Sequence, residues 1–301
     1  MYEEAQRHSR IRTGVSYVLS FLLFFLLVCF SLCVLIQETA LNENFLQSQV
    51  AQSGYSGYAL SAVQDEVVSY GLASGFDQGF CRSLISKDRV SADVSKLVSS
   101  IYQKNVGGPD YDTLQKEFYK KFVENAQSRK IAVSGKSESA LQLLAKTFAQ
   151  SYRNHVSLPA TVVSAMRAAV PKIVKAVLIL EILSLALAFI VLGFLFKLNH
   201  RRSFFRYCIY AFSGATVIFA ATGTVALASG QIEKVGIVEQ SFYVLTVSYA
   251  HHMVIALFLA AACLVAVTAA FAAAYVVRCK KHKEVVDAQH AKGVYRKKLI
   301  N

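Results

Sequence analysis

Few residues in this chain combine a reactive type with a setting in which they could do chemistry. Glu181 is the only acid in VKAVLILEILSLALAFIVLGFLFK, residues 174–197. A carboxylate in an apolar run of that length is costly in a bilayer, so it is either hydrated near one face or held by a partner. His251 and His252, in AHHM, stand at the start of another long apolar run. A protonated histidine at the depth of Glu181 could pair with it, giving a polar network or a pH sensor. The simpler expectation is interfacial: a hydrated or neutral carboxylate and two imidazoles at headgroup level. A single carboxylate makes a poor proton relay. The two histidines point about 100° apart on a helix and do not converge on one metal.

The other stretches with chemical residue types read as structure. SGKS, residues 134–137, has the ending of a phosphate-binding loop, but Lys130 stands where that loop needs its first glycine. Ser137 is the expected helix cap there. Asp110 and Asp112, in DYD, fit a capped first turn, where acids complement the helix dipole. GYSGY around Ser56 has its second glycine one place too early for a nucleophile elbow. No catalytic residue, metal site or cofactor is expected, and the chain reads as no enzyme.

The elements that must position these groups are membrane spans. The chain has 301 residues, 54% of them hydrophobic, with 3 Pro and no Trp, and a mean hydropathy of +0.41. Four runs reach the roughly 20 apolar residues that a helix needs to cross a bilayer. They are 14–37, 173–196, 207–229 and 250–277. The run from Val15 to Ile36 exceeds a signal-peptide core and lacks a small-x-small cleavage site, so an uncleaved anchor is expected.

Basic residues near span ends set the orientation. Arg7, Arg10 and Arg12 precede the first span, and Arg201, Arg202 and Arg206 follow the second. Arg278, Lys280, Lys281 and Lys283 follow the fourth. Residues 1–13, the 197–206 loop and the 278–301 tail are therefore read as cytoplasmic, with 38–172 and 230–249 outside. The three cytoplasmic pieces hold 15 Lys and Arg against 4 Asp and Glu, and region 38–172 holds 15 against 12. The net charge of +13 is thus concentrated beside the membrane. It points to an anionic inner leaflet rather than to nucleic acid.

Region 38–172 shows helical periodicity. Val90, Val94, Leu97, Val98, Ile101 and Tyr102 form one stripe. Tyr111, Leu114, Phe118 and Phe122 form a second, and Leu141, Leu144, Phe148 and Tyr152 a third. Leu60, Val63, Val67 and Tyr70 suggest that the first span continues as one long helix, broken at GLASGFDQGF. Pro159 can open a last helix running into the second span, with a kink at Pro171. The fold class is therefore an all-α membrane protein with four transmembrane helices. A helical-bundle extracytoplasmic domain is inserted between spans one and two.

Cys81 is the only cysteine of that region, which has no internal disulfide and no N-x-S/T sequon. That usage fits a bacterial plasma membrane and leaves open a disulfide between two chains through Cys81. Tyr17, Tyr207, Tyr210, Tyr249 and Tyr275 near span ends read as an interfacial belt. Thr216, Ala220, Thr224 and Ala228 in span three make a small-residue stripe, as do Ala262, Ala266, Ala270 and Ala274 in span four. Such stripes allow close helix approach in lipid, within the chain or against a second copy. Spans three and four are expected to pack together, and against span two through Ser184 and Ala188. Span one is read as more lipid-exposed.

The cytoplasmic pieces are too short to hold an ATPase or kinase. The first reading is a non-enzymatic membrane protein whose outer domain binds a protein partner or ligand, alone or as a homo-oligomer. In span layout alone, the chain resembles four-span ABC subunits with a large outer domain between spans one and two. That resemblance implies a permease-like or regulatory subunit working with a separate ATPase. An intramembrane enzyme is the third class.

Overall fold

The computed structural model describes the backbone of residues 2–103, 107–157, 160–199 and 201–298. Side chains are described over residues 11–280, apart from 104–106, 158–160, 162 and 200–202. Every regular element among the described residues is a helix. They are α1 (Tyr2–Glu38), α2 (Glu43–Gln52), α3 (Tyr55–Ala73), α4 (Gln78–Ser83) and α5 (Lys87–Tyr102). Then follow α6 (Tyr111–Ser128), α7 (Lys136–Val156), α8 (Ala160–Leu198), α9 (Arg201–Ala228) and α10 (Gln240–Lys298). The stretches Ile11–Glu38, Val163–Leu198, Ser203–Ala228 and Gln240–Lys280 are long and apolar enough to cross a membrane. They match the four runs expected from the sequence, the third ending at Ala228 rather than at 229. The chain divides into two compact units. One, the bundle unit, comprises Gln37–Lys175 and Gln231–His252; the other, the membrane unit, comprises Met1–Ile36, Ala176–Gly230 and Met253–Asn301.

In the bundle unit the three amphipathic stripes converge. Val90, Val94 and Val98 of α5, Leu114, Phe118 and Phe122 of α6, and Leu144, Phe148 and Tyr152 of α7 share one core with Val63 and Val67 of α3. Phe148 sits edge-on to both Phe118 and Phe122, at centroid separations of 6.2 and 5.1 Å. That geometry suits the aromatic quadrupole. Asp110 caps α6 as expected, its Oδ1 accepting from the N–H groups of Asp112 and Thr113.

Two local expectations are corrected. The first span does not continue outward as one helix. α1 ends at Glu38, Asn42 caps α2 through its side chain, and Gly54 breaks the chain again at φ +74° before α3. A single apolar period read across these breaks cannot show them, whereas an N-cap asparagine and a glycine with positive φ do. Ser137 is not the N-cap of α7, which starts one residue earlier, at Lys136. Its hydroxyl accepts from the Ser134 N–H and donates to the Ser134 carbonyl. Pro171 lies inside α8, which runs through it; Pro159 falls outside the described residues.

Cys81 is wholly buried, and a Cβ added to Gly71 would fall 2.2 Å from its Sγ. This close approach ties α4 to α3 and removes the thiol from any disulfide between chains. The start of α10 belongs to this unit. Phe242 and Leu245 pack on the core, and Phe242 lies edge-on to Tyr55 at 5.4 Å.

In the membrane unit, Leu23 and Leu26 of α1 pack with Ala188, Val191 and Leu195 of α8 and with Tyr207 and Ala211 of α9. Ala215 and Phe219 of α9 pack with Ala261 and Leu264 of α10. Spans three and four thus pack together, and Ala188 lies in a shared contact. Span one is the correction: it is held from within rather than set apart in lipid. Ser20 Oγ donates to the Tyr207 carbonyl at 2.8 Å, and Asn199 Nδ2 donates to Ser16 Oγ at 2.8 Å. Small serines on α1 allow that approach, and their hydroxyls find partners on α9 and just past the end of α8. Large apolar side chains elsewhere on these helices are exposed, among them Phe21, Ile179 and Phe189.

Candidate functional site

Two polar constellations stand out in the bundle unit, and neither contains a residue singled out from the sequence as a candidate for chemistry, though Leu97 and Tyr111 of the helix stripes line the second. The first centres on His155, near the end of α7. Its Nε2 lies 2.9 Å from Glu66 Oε2 on α3, and its Nδ1 lies 3.1 Å from Glu239 Oε1, one residue before α10. A neutral imidazole donates from one nitrogen only, so both contacts are hydrogen bonds when the ring is doubly protonated. Tyr70 donates to Glu66 Oε1 at 3.3 Å, and Ser241 donates to Glu239 Oε1 at 3.2 Å. Burial works against the charge on Glu66. The hydrogen bonds from Ser151 and His155, with the histidine's charge, outweigh it and hold the carboxyl below its ordinary range.

The serine, histidine and carboxylate here are not ordered as an acyl-transfer relay. Ser151 donates to Glu66 Oε2, and both ring nitrogens face carboxylates, so the imidazole is not turned toward the hydroxyl. What the arrangement does is fasten α3, α7 and the chain leading into α10.

The second constellation is a groove of about 590 Å³. Its walls come from α5, from Gly108 and Pro109 before α6, and from the facing parts of α7 and α8. Arg153 and Arg167 stand in it with Ser100, Ser157 and Ser164, and Leu97 and Val163 supply apolar surface. The Arg153 guanidinium lies 5.5 Å over the Tyr111 ring, a cation–π arrangement. Arg167 Nε donates to the Ser100 carbonyl at 2.7 Å, which fixes the fork against α5. Neither guanidinium is ion-paired with a carboxylate among the described residues. By contrast, Arg89 pairs with Asp93 at 3.0 Å and with Glu117 at 3.2 Å. Buried Asp93 also accepts from the Tyr152 hydroxyl at 2.8 Å. That cluster is complete in itself. Burial pushes the Tyr111 hydroxyl up from its usual value, with Ser157 acting in the opposite direction.

A signal for the groove is present in the sequence. Between Glu138 and Glu181 there is no acid, while Lys146, Arg153, Arg167, Lys172 and Lys175 all fall in that interval. His155 left no such trace, since its carboxylates are 89 and 84 residues away.

The residues selected from the sequence are placed as follows. Glu181 is half-buried in the membrane unit, where its carbonyl accepts from Ser184 Oγ at 2.9 Å. His251 and His252 belong to the bundle unit. Their Nδ1 atoms lie 3.0 Å from the Val247 carbonyl and 2.9 Å from the Ser248 carbonyl, each one turn back. Arg12, Arg206, Arg278 and Lys280 are exposed. The side chains of Arg7, Arg10, Arg201, Arg202, Lys281 and Lys283 lie outside the described residues.

The small-residue stripes do not coincide with the faces buried within the chain. Thr216, Ala220 and Ala274 are half-buried, while Thr224, Ala228, Ala262, Ala266 and Ala270 are exposed. The buried face of α9 runs through Ala211, Ala215, Phe219 and Gly223, one residue ahead of the stripe. Among the described residues no group of three His, Cys, Asp or Glu is placed to hold a metal ion.

The fold defines an all-helical chain with four helices fit to span a membrane, as in a multi-pass membrane protein. Comparison with protein-family models, with curated proteins and with solved structures finds no match.

Proposed function

We propose that this is a multi-pass plasma-membrane protein of a bacterium, with both termini in the cytoplasm. Its helical unit on the outer side binds a partner or ligand without catalysing a reaction. The observation that carries the binding reading is the groove. Two arginines that no described carboxylate neutralises stand over apolar surface, in a cavity within the roughly 300–1,000 Å³ of small-molecule sites. The orientation is supported by the clustering of Lys and Arg at 1–13, 197–206 and 278–301. The basic tail is suited to anionic lipid of the inner leaflet.

Two measurements test this reading. A reporter active only outside the membrane should work when fused after Gln103 and fail after Asn301; the reverse overturns the topology. A photo-crosslinking amino acid at Val163, inside the groove, should give a discrete adduct in cells. One at exposed Lys120 on α6 should not. Equal labelling of the two, or of neither, overturns the binding reading.

A further inference from the structure

We infer that the groove between α5, α7 and α8 takes a small amphiphilic anion: one phosphate or carboxylate head on a short apolar body. The inference rests on the binding reading above and assigns the chemistry of that same site.

The head is indicated by the two guanidiniums. Arg153 and Arg167 come from different helices, α7 and α8, and line one cavity. Each is oriented by a contact that leaves its charge uncompensated: a ring face for Arg153, a backbone carbonyl for Arg167. In the same unit Arg89 instead meets Asp93 and Glu117, while Arg129 donates to the Gly75 carbonyl at 3.3 Å. A planar fork that offers several N–H donors matches an oxyanion in two-point contact. The hydroxyls of Ser100, Ser157 and Ser164 in the same walls can donate to the remaining oxygens. Ser100 donates to the Leu97 carbonyl at 2.7 Å and Ser164 to the Thr161 carbonyl at 2.9 Å, so each hydroxyl must turn from its own helix to reach the anion.

The body is indicated by the rest of the lining. Leu97, Pro109, Tyr111, Val163 and Ala168 present apolar surface beside the charges. A fully hydrated ion would gain nothing from that surface, whereas a short alkyl or aryl group would bury itself there. Such a molecule has two sources, a lipid of the surrounding membrane or a soluble compound.

The test uses the full chain in phosphatidylcholine nanodiscs, with hexyl phosphate as probe and hexanol and inorganic phosphate as comparisons. Hexyl phosphate should bind saturably and both comparisons at least tenfold more weakly, since each carries half of the recognition. Arg153→Gln and Arg167→Gln should each weaken it by about tenfold, the scale of one lost charged hydrogen bond. Arg167→Gln also removes the bond to Ser100, so Ser164→Glu serves as a second variant. It changes an exposed wall residue and should abolish binding by repulsion while leaving the melting temperature unchanged. Binding lost in phosphatidylglycerol nanodiscs assigns the site to a lipid headgroup; binding equal in both nanodiscs assigns it to a soluble anion.

No saturable binding, equal binding of hexanol, or indifference to Ser164→Glu overturns the inference. An adduct at Val163 in cells without hexyl phosphate binding overturns only the anion assignment, and absence of both overturns the binding reading as well.

Discussion

The two units of this chain bury similar residues under opposite rules. In the bundle unit the phenylalanines and valines of the helix stripes point inward, while a few large apolar side chains such as Leu72 and Leu143 are exposed. Phe118, Phe122, Phe148 and Tyr152 are at most 1% exposed. Its buried acid, Asp93, is bonded to Arg89 and Tyr152. In the membrane unit small residues such as Ala188, Ala211 and Ala215 bring the helices together beside buried Leu23, Leu195 and Phe219, and many other big side chains face out. Phe189 is 65% exposed and Ile179 is 65% exposed. A water-facing surface of that kind would be an aggregation site; a lipid-facing one is ordinary. The contrast shows which surface is built for which solvent, and it shows where function has room. The bundle unit has the polar clusters and the groove, while the membrane unit supplies close helix packing.

Truncating one phenylalanine in each unit gives the largest expected contrast. Phe148→Ala removes a ring fully enclosed by Phe118 and Phe122 and should lower stability by about 3–5 kcal/mol. Phe189→Ala removes an exposed ring and should stay within about 0.5 kcal/mol. Denaturation of the full chain in nanodiscs measures both. If the two losses are equal, the assignment of Phe189 to lipid is wrong.

The His155 cluster predicts a smaller, pH-dependent effect confined to the bundle unit. Glu66 is held below its ordinary value of 4.5. A carboxyl lowered on folding adds stability above its unfolded value, and that contribution is lost as pH falls through the folded one. The groups facing it are His155 and Ser151 of α7, Tyr70 of α3 and, through His155, Glu239. At pH 7 Glu66→Gln should therefore melt a few degrees below the parent. The gap should close as the pH is lowered below about 4.5 and through the folded value beneath it. A gap that persists at low pH would show that the substitution acts by packing rather than by charge.

What the sequence disclosed differs between the units for the same physical reason. The stripes on α5, α6 and α7 were legible because polar residues on the opposite face set their phase. Val90, Phe118 and Phe148 could be assigned to a core before any contact was known. The existence of the spans was equally plain, since length and apolarity suffice. Their contact faces were not legible: a helix apolar all round offers several small-residue rows, and nothing polar says which of them meets a neighbour. The groove lies between. Its charge is visible as the acid-free interval from Glu138 to Glu181, but the meeting of Arg153 with Arg167 depends on how α7 and α8 return past α5. The His155 cluster, built from three distant segments, has no local signature at all.

The phase of α9 gives the finest test. A Cβ placed on Gly223 would come 3.0 Å from the ring of Phe258 on α10, tighter than ordinary contact. Phe258 is itself 36% exposed, so the ring can give way by a few tenths of an ångström. Gly223→Val should therefore destabilise the full chain by only about 1 kcal/mol, the low end of overpacking. Thr224 is one residue on and exposed, and within a single chain Thr224→Val should change nothing measurable. Melting curves in nanodiscs that hold one chain each isolate the contact within the chain, and nanodiscs large enough for two add any contact between copies. If Gly223→Val alone destabilises in both, the buried face of α9 is the Ala211–Ala215–Phe219–Gly223 row and no other. If Thr224→Val acts only when two chains share a disc, the Thr216–Ala220–Thr224–Ala228 stripe is the face that meets a second copy. The one-residue offset would then separate two interfaces on the same helix, the inner one made by α1, α8 and α10 and the outer one by a neighbouring chain.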